Sequence, residues 1–111
     1  MAAKANIVLD QGTTFLTYLA LTDTDGTVLD LTGYTARGQI RKWYTSNSYT
    51  TFTITITQPA SGYINLALTA NTTANMEPGR YVYDIEAVSG ANVITRVIEG
   101  VVTVTPEVTK I

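Results

Sequence analysis

The stretch EPGRYVYDIEAV, residues 77 to 88, decides the fold. Pro78 and Gly79 stop whatever precedes them, because proline lacks an amide hydrogen and glycine accepts backbone conformations that other residues avoid. Beyond them Tyr81, Tyr83, Ile85 and Ala87 alternate with Val82, Asp84 and Glu86, the period of two of a half-buried strand. The order Glu77-Pro78-Gly79-Arg80-Tyr81-Val82-Tyr83 has the spacing acid-x-Gly-x-Tyr-x-large residue. That is the pattern of a tyrosine corner, where a tyrosine entering strand F bonds back to the backbone a few residues upstream. Tyr83 stands where such domains often carry a disulfide-bonded cysteine. The stretch therefore predicts an immunoglobulin-like sandwich.

The flanking sequence reads the same way. SGAN (89–92) turns the chain into a last strand, VITRVIEGVVTV, in which Gly100 predicts a β-bulge. Upstream, Ile7 to Leu9 is a short first strand closed by Asp10-Gln11-Gly12. TFLTYLALT (14–22) puts Phe15, Leu19 and Leu21 on one face and Leu16, Tyr18 and Ala20 on the other. DTDG (23–26) is a turn, and TVLDL (27–31) a short strand. From Thr35 to Trp43, Ala36, Gly38 and Ile40 face inward and Arg37, Gln39 and Arg41 outward. TSNSYT (45–50) is a polar loop. TFTITIT (51–57) reads as one strand with Phe52, Ile54 and Ile56 inward, and YINLAL (63–68) as the next, with Ile64, Leu66 and Leu68 inward. Residues 70–77 predict one short helical turn, with Met76 plugging the core. Trp43 ends the strand that would be C, whereas antibody domains hold their tryptophan inside it. The expectation is an all-β, antiparallel immunoglobulin-like β-sandwich of seven to eight strands. It forms a single domain over 1–111, with a short N-terminal arm (1–6) and a C-terminal tail (105–111).

Composition narrows function. The chain has 111 residues, no cysteine and no histidine, so disulfides, thiolate metal sites and the usual general base are absent. A net charge of −2 argues against a nucleic-acid binder, which needs a basic surface. No apolar run is long enough for a membrane span, and MAAKANIVLD has no signal-peptide core, so a protein kept or assembled in a cytoplasm is expected. Threonine occupies 21 positions, which favours strands. Only 14% of residues are charged, against about 25% in ordinary soluble domains. Such a thinly charged surface points to packing against partners.

Candidate chemistry is sparse. Ser46, Ser48, Ser61 and Ser89 lie in turn-rich segments with no histidine to activate them. Asp84, Glu86 and Glu99 are expected to pair with Arg80 and Arg96 across a hairpin rather than to serve as catalytic or cation-binding carboxylates. DTDG resembles the opening of a calcium loop, but the twelfth loop position is Tyr34, not glutamate. Asn71-Thr72-Thr73 fits a glycosylation sequon and reads instead as helix-start chemistry. No catalytic residue, metal ligand or cofactor is implied.

One stretch remains. DLTGYTARGQIRKWY (30–44) places Arg37, Arg41 and Lys42, three of the seven cations, among Tyr34, Trp43 and Tyr44. Basic residues interleaved with aromatics build single-stranded nucleic-acid grooves, but the charge balance and the alternation favour an amphipathic strand. Arg37 and Arg41 share its outer face, about 13 Å apart. Two readings stand. One is a solvated face with arginine stems lying along it; the other is a contact surface for an acidic partner or a sugar. Tyr34, Arg37, Arg41, Trp43 and Tyr44 are the candidate contact residues.

The segments IVLDQGTTF, TDTDGTVLDLTGYTARGQIRK and ANMEPGRYVYDIEAV, together with VITRVIEGVVTVTPEVT, span nearly the whole chain. They resemble a group of small structural proteins of tailed bacteriophages and, more distantly, the immunoglobulin-like N-terminal domain of phage baseplate upper proteins. The resemblance implies a non-enzymatic virion component, assembled in the host cytoplasm. It would dock on the capsid as decoration or cement, or on the neck, tail or baseplate. Its partners would be other virion proteins and further copies of itself, with no nucleic acid and no membrane. The alternative is a carbohydrate-binding adhesion module for host recognition, with Tyr44, Tyr49 and Tyr63 as a glycan platform.

Overall fold

The computed structural model describes residues 3–22 and 26–109. Among these residues nine strands follow in order: β1 (Ala3–Lys4), β2 (Ile7–Asp10), β3 (Phe15–Ala20), β4 (Thr35–Arg41), β5 (Tyr49–Thr51), β6 (Thr53–Gln58), β7 (Tyr63–Leu68), β8 (Gly79–Val88) and β9 (Ile94–Thr105). A 3-10 turn (Pro59–Ser61) separates β6 from β7, and a single-turn helix α1 (Ala70–Ala74) separates β7 from β8. A six-stranded sheet runs β1/β2–β9–β8–β4–β5 and faces a three-stranded sheet β3–β7–β6. In immunoglobulin terms β8, β9, β4 and β5 are strands F, G, C and C′, and β3, β7 and β6 are B, E and D. The protein is an all-β, immunoglobulin-like sandwich.

The tyrosine corner is in place. The Tyr81 hydroxyl donates to the Glu77 carbonyl oxygen at 2.7 Å. Burial, and secondarily the charge of Glu77, push its pKa above the usual phenol value. Alternation then fills the interior from both sheets: Ile64 and Leu66 from β7, Ile85 from β8 and Val102 from β9 are fully buried. Completely burying such a side chain stabilises by roughly 1.5–3 kcal/mol. α1 forms where a helical turn is expected, but its cap is Thr69, whose hydroxyl accepts the Thr72 N–H at 3.2 Å, and Asn71-Thr72-Thr73 lie inside the turn instead of starting it. The Thr73 hydroxyl ties the turn to the Thr13 carbonyl at 2.7 Å, and Met76 is buried beneath it.

Some expectations need correction. Within the expected N-terminal arm (1–6), Ala3–Lys4 forms a strand that pairs in parallel with β9, as Ile7–Asp10 does, while the other strand pairs of both sheets are antiparallel. Leu9 is thereby buried, which is what the alternation of Ile7 and Leu9 serves. The bulge lies elsewhere, because Ile85 pairs with Ile98 and Glu86 with Arg96, leaving Val97 as the extra residue. Gly100 has another task. The Ala5 carbonyl oxygen, which accepts the Tyr83 hydroxyl, approaches so closely that any β-carbon at position 100 would overlap it.

TFTITIT is two strands, not one. β5 pairs with β4, β6 pairs with β7, and the chain crosses between the sheets at Phe52, whose N–H donates to Gly38 at 3.0 Å. A Thr/Ile alternation suits either sheet, so periodicity does not mark the crossing. TVLDL forms no strand beyond a single bridge between Val28 and Thr22. It is held by the Leu29 N–H on Leu21 (3.1 Å) and the Leu31 N–H on Pro59 (2.7 Å). Within it Asp30 accepts the Thr32 hydroxyl at 2.6 Å and N–H at 2.9 Å, bonds that lower its pKa. Of the DTDG turn, residues 23–25 lie outside the described residues. Finally, Trp43 follows β4 at 58% exposure, so no tryptophan stands at the centre of this core.

Two predictions follow from these bonds. Tyr81→Phe should lower unfolding free energy by about 1 kcal/mol with the fold retained, measured by urea titration. Burial pushes Tyr83 from 10.0 up to about 12. The fold holds the neutral phenol, so this stabilisation is complete below the ordinary tyrosine range and is lost as pH climbs through the raised value. Alkaline titration of stability should show that loss, and Tyr83→Phe should flatten it.

Candidate protein-contact face

β4 sits between β5 and β8, and β8 between β4 and β9, so their outward side chains form rows across the larger sheet. One row is Arg37, Glu86 and Arg96; the next is Gln39, Asp84 and Glu99. Opposite charges sit side by side. Arg37 Nε lies 2.9 Å from Glu86 Oε1. Arg96 Nε lies 3.2 Å from Asp84 Oδ2, and its Nη1 lies 3.8 Å from Glu99 Oε2. The expectation that Arg80 would join these acids is corrected. Arg80 is in register with Thr103, four residues before Asp84, about 13 Å away by strand rise.

Arg41 is held differently. It donates to the Ser46 carbonyl oxygen and, at 2.8 Å, to Gln39 Oε1, while its guanidinium lies 4.7 Å from the Tyr49 ring centroid. It thus clamps the loop that follows β4 back onto the sheet. Together these residues border an open concavity of about 570 Å³, lined by Arg37, Gln39, Arg41, Tyr44, Asp84 and Arg96 among others. Tyr44 is 79% exposed at its rim.

The five candidates therefore divide. Arg37, Arg41 and Tyr44 share the concavity. Trp43 is exposed beside Tyr44 in sequence but does not line it. Tyr34 is half-buried at the far end of β4, packed against the core. Lys42 turns away to lie 4.7 Å from the Tyr81 ring centroid, covering the tyrosine corner. The interior orientation of Ile40 and Gly38 matches the reading of the strand, and a β-carbon on Gly38 would overlap Ile85. Sequence reasoning noted Asp84, Glu86, Glu99 and Arg96 but not their place beside Arg37. The β4–β8 pairing joins residues 49 apart, and no local pattern reveals it. Among the described residues no group of carboxylates is placed to hold a metal ion, and no helix is long and apolar enough to cross a membrane.

An immunoglobulin-like sandwich with a charge-laddered outer sheet is the class defined so far. No known protein family matches the chain, and no curated protein sequence does. Among solved structures it is similar in fold to an internalin-like protein of Listeria monocytogenes, at a TM-score of 0.50 and 14% identity. That match covers 94% of this chain, which spans 28% of the length of the other.

A double-mutant cycle on Arg37 and Glu86, by thermal or urea unfolding, should give a coupling of about 0.2–1 kcal/mol that shrinks as salt is added.

Proposed function

We propose that the chain is a non-enzymatic structural module of a tailed-bacteriophage virion, docking by the outer face of its larger sheet on the capsid or on the neck, tail or baseplate. One observation carries the docking surface. Arg37, Arg41 and Arg96 converge on one concavity with Tyr44 at its rim and Trp43 adjoining. Arginine, tyrosine and tryptophan are the residues that carry most of the energy in protein interfaces. Arg37 and Arg96 pair with Asp84, Glu86 and Glu99, and Arg41 adds a third positive charge, so the face is close to neutral. A partner for it needs matching rows of charge, which set register and specificity, rather than a strongly acidic surface. The phage assignment is supported by the sequence resemblance, with which the sandwich fold agrees.

The glycan alternative has less support. Tyr63 lies on the outer face of the other sheet, and Arg41 covers a face of Tyr49, so Tyr44, Tyr49 and Tyr63 form no common ring platform. Binding of the purified chain to separated heads and tails of the phage that encodes it tests the proposal. Retention on one of them is expected, with Tyr44→Ala weakening it by about 2 kcal/mol, or roughly thirtyfold. A chain that binds neither heads nor tails overturns it.

A further inference from the structure

β3, β7 and β6 contain no charged residue at all. Their outer face exposes Leu16 (54%), Tyr18 (67%) and Tyr63 (44%). Among the described residues this sheet has two unpaired edges, and so does the larger one. An exposed strand edge offers unpaired N–H and C=O groups, and proteins guard such edges with charge, brevity, breaks or bulges. Three of the four edges are guarded. β5 has only three residues. The β1/β2 edge breaks at Ala5–Asn6 and carries Lys4 and Asp10. β6 has a register break between Ile56 and Gln58. β3 has none of these: its six residues, FLTYLA, contain no charge, proline, glycine or bulge.

The edge is open because of where the first strand went. In constant-type immunoglobulin domains strand A pairs with B; here β1 and β2 pair with β9, and among the described residues β3 has β7 as its one neighbour. The direction of its free groups follows from register. The Leu21 N–H donates to Gly62 at 2.8 Å, one step beyond the Ala20–Tyr63 pair. In an antiparallel ladder bonded and non-bonded pairs alternate. Phe15, Thr17 and Leu19 therefore bond to β7, and the peptide groups of Leu16, Tyr18 and Ala20 point out of the open edge.

We propose that this edge seats a second copy of the chain, paired antiparallel across a two-fold axis through Tyr18. Residues opposite one another must share a face. Centred on Tyr18, the three outward-pointing peptides each meet a counterpart: Tyr18 meets Tyr18, Leu16 meets Ala20, and Ala20 meets Leu16. On the core side Thr17 meets Leu19. No charge opposes a like charge, although each chain carries a net −2. The two small sheets become one of six strands that ends on the bulged β6 edges, so pairing closes at two copies instead of propagating. The docking face of the larger sheet stays free, and the inference does not depend on it.

The chain contains no cysteine, so one introduced thiol gives a clean readout. A bonded antiparallel pair holds its Cα atoms about 5.5 Å apart, within disulfide reach. Under oxidation Tyr18→Cys should therefore form a covalent dimer, while Thr55→Cys on β6 should not. Sedimentation of the native chain should show a dimer that Leu16→Lys abolishes. Leu16 is largely exposed, so the thermal unfolding midpoint of that variant should hold. A chain that stays monomeric up to millimolar concentration, or Tyr18→Cys linking no faster than Thr55→Cys, overturns the proposal. Neither result bears on docking to heads or tails.

Discussion

The seat of the first strand on β9 organises this molecule. Three residues far apart in sequence fix it. The Tyr83 hydroxyl donates to the Ala5 carbonyl, and Gly100 clears the space that carbonyl occupies. The Ala5 N–H in turn donates to the Glu99 carbonyl at 3.0 Å, and Asn6 Oδ1 accepts the Val101 N–H at 3.1 Å. The break between β1 and β2 is thus itself bonded to β9. A phenol shielded from water resists ionisation, because burial disfavours the charged phenolate, and this raises the pKa of Tyr83.

The rest of the sandwich follows from that seat. Tyr83 also presents its ring to Phe52, edge-on with centroids 5.9 Å apart, and Phe52 sits 6.5 Å from Phe15. Phe52 is where the chain leaves one sheet for the other. One aromatic row therefore links the β8 tyrosine that anchors the first strand, the crossing between sheets and the first residue of β3. Placing the first strand on β9 covers that edge of the larger sheet and uncovers β3. The larger sheet then carries the charged ladders, whereas the smaller one carries no charge on any of its three strands. The two outer faces are therefore chemically unlike.

Much of this was legible in the sequence where the signal is local. Alternation identified the inward residues of β4, β7 and β8, the acid-x-Gly-x-Tyr spacing identified the corner closed by Tyr81, and the break in alternation over 70–77 identified the helical turn with Met76 beneath it, though not its cap at Thr69. What escaped depends on which strands meet. A strand of alternating Thr and Ile satisfies either sheet, so the crossing at Phe52 left no trace. Gly100 was noticed and misread, because a bulge and a close backbone approach both call for glycine. At the candidate face, the outward direction of Arg37 and Arg41 was legible. Their partners were not, since Glu86 reaches Arg37 only through the pairing of β4 with β8. Tyr34 looked like a surface aromatic by proximity in sequence, yet the irregular 27–31 segment turns it against the core.

Residue-resolved amide hydrogen exchange on the dilute chain tests the seat of the first strand most directly. The account predicts slow exchange at Thr17, Leu19 and Val101, and fast exchange at Leu16, Tyr18 and Ala20, whose N–H groups point out of the open β3 edge. Slow exchange at Leu16, Tyr18 and Ala20 in the dilute chain, with Val101 exchanging freely, would place the first strand on β3 and contradict it.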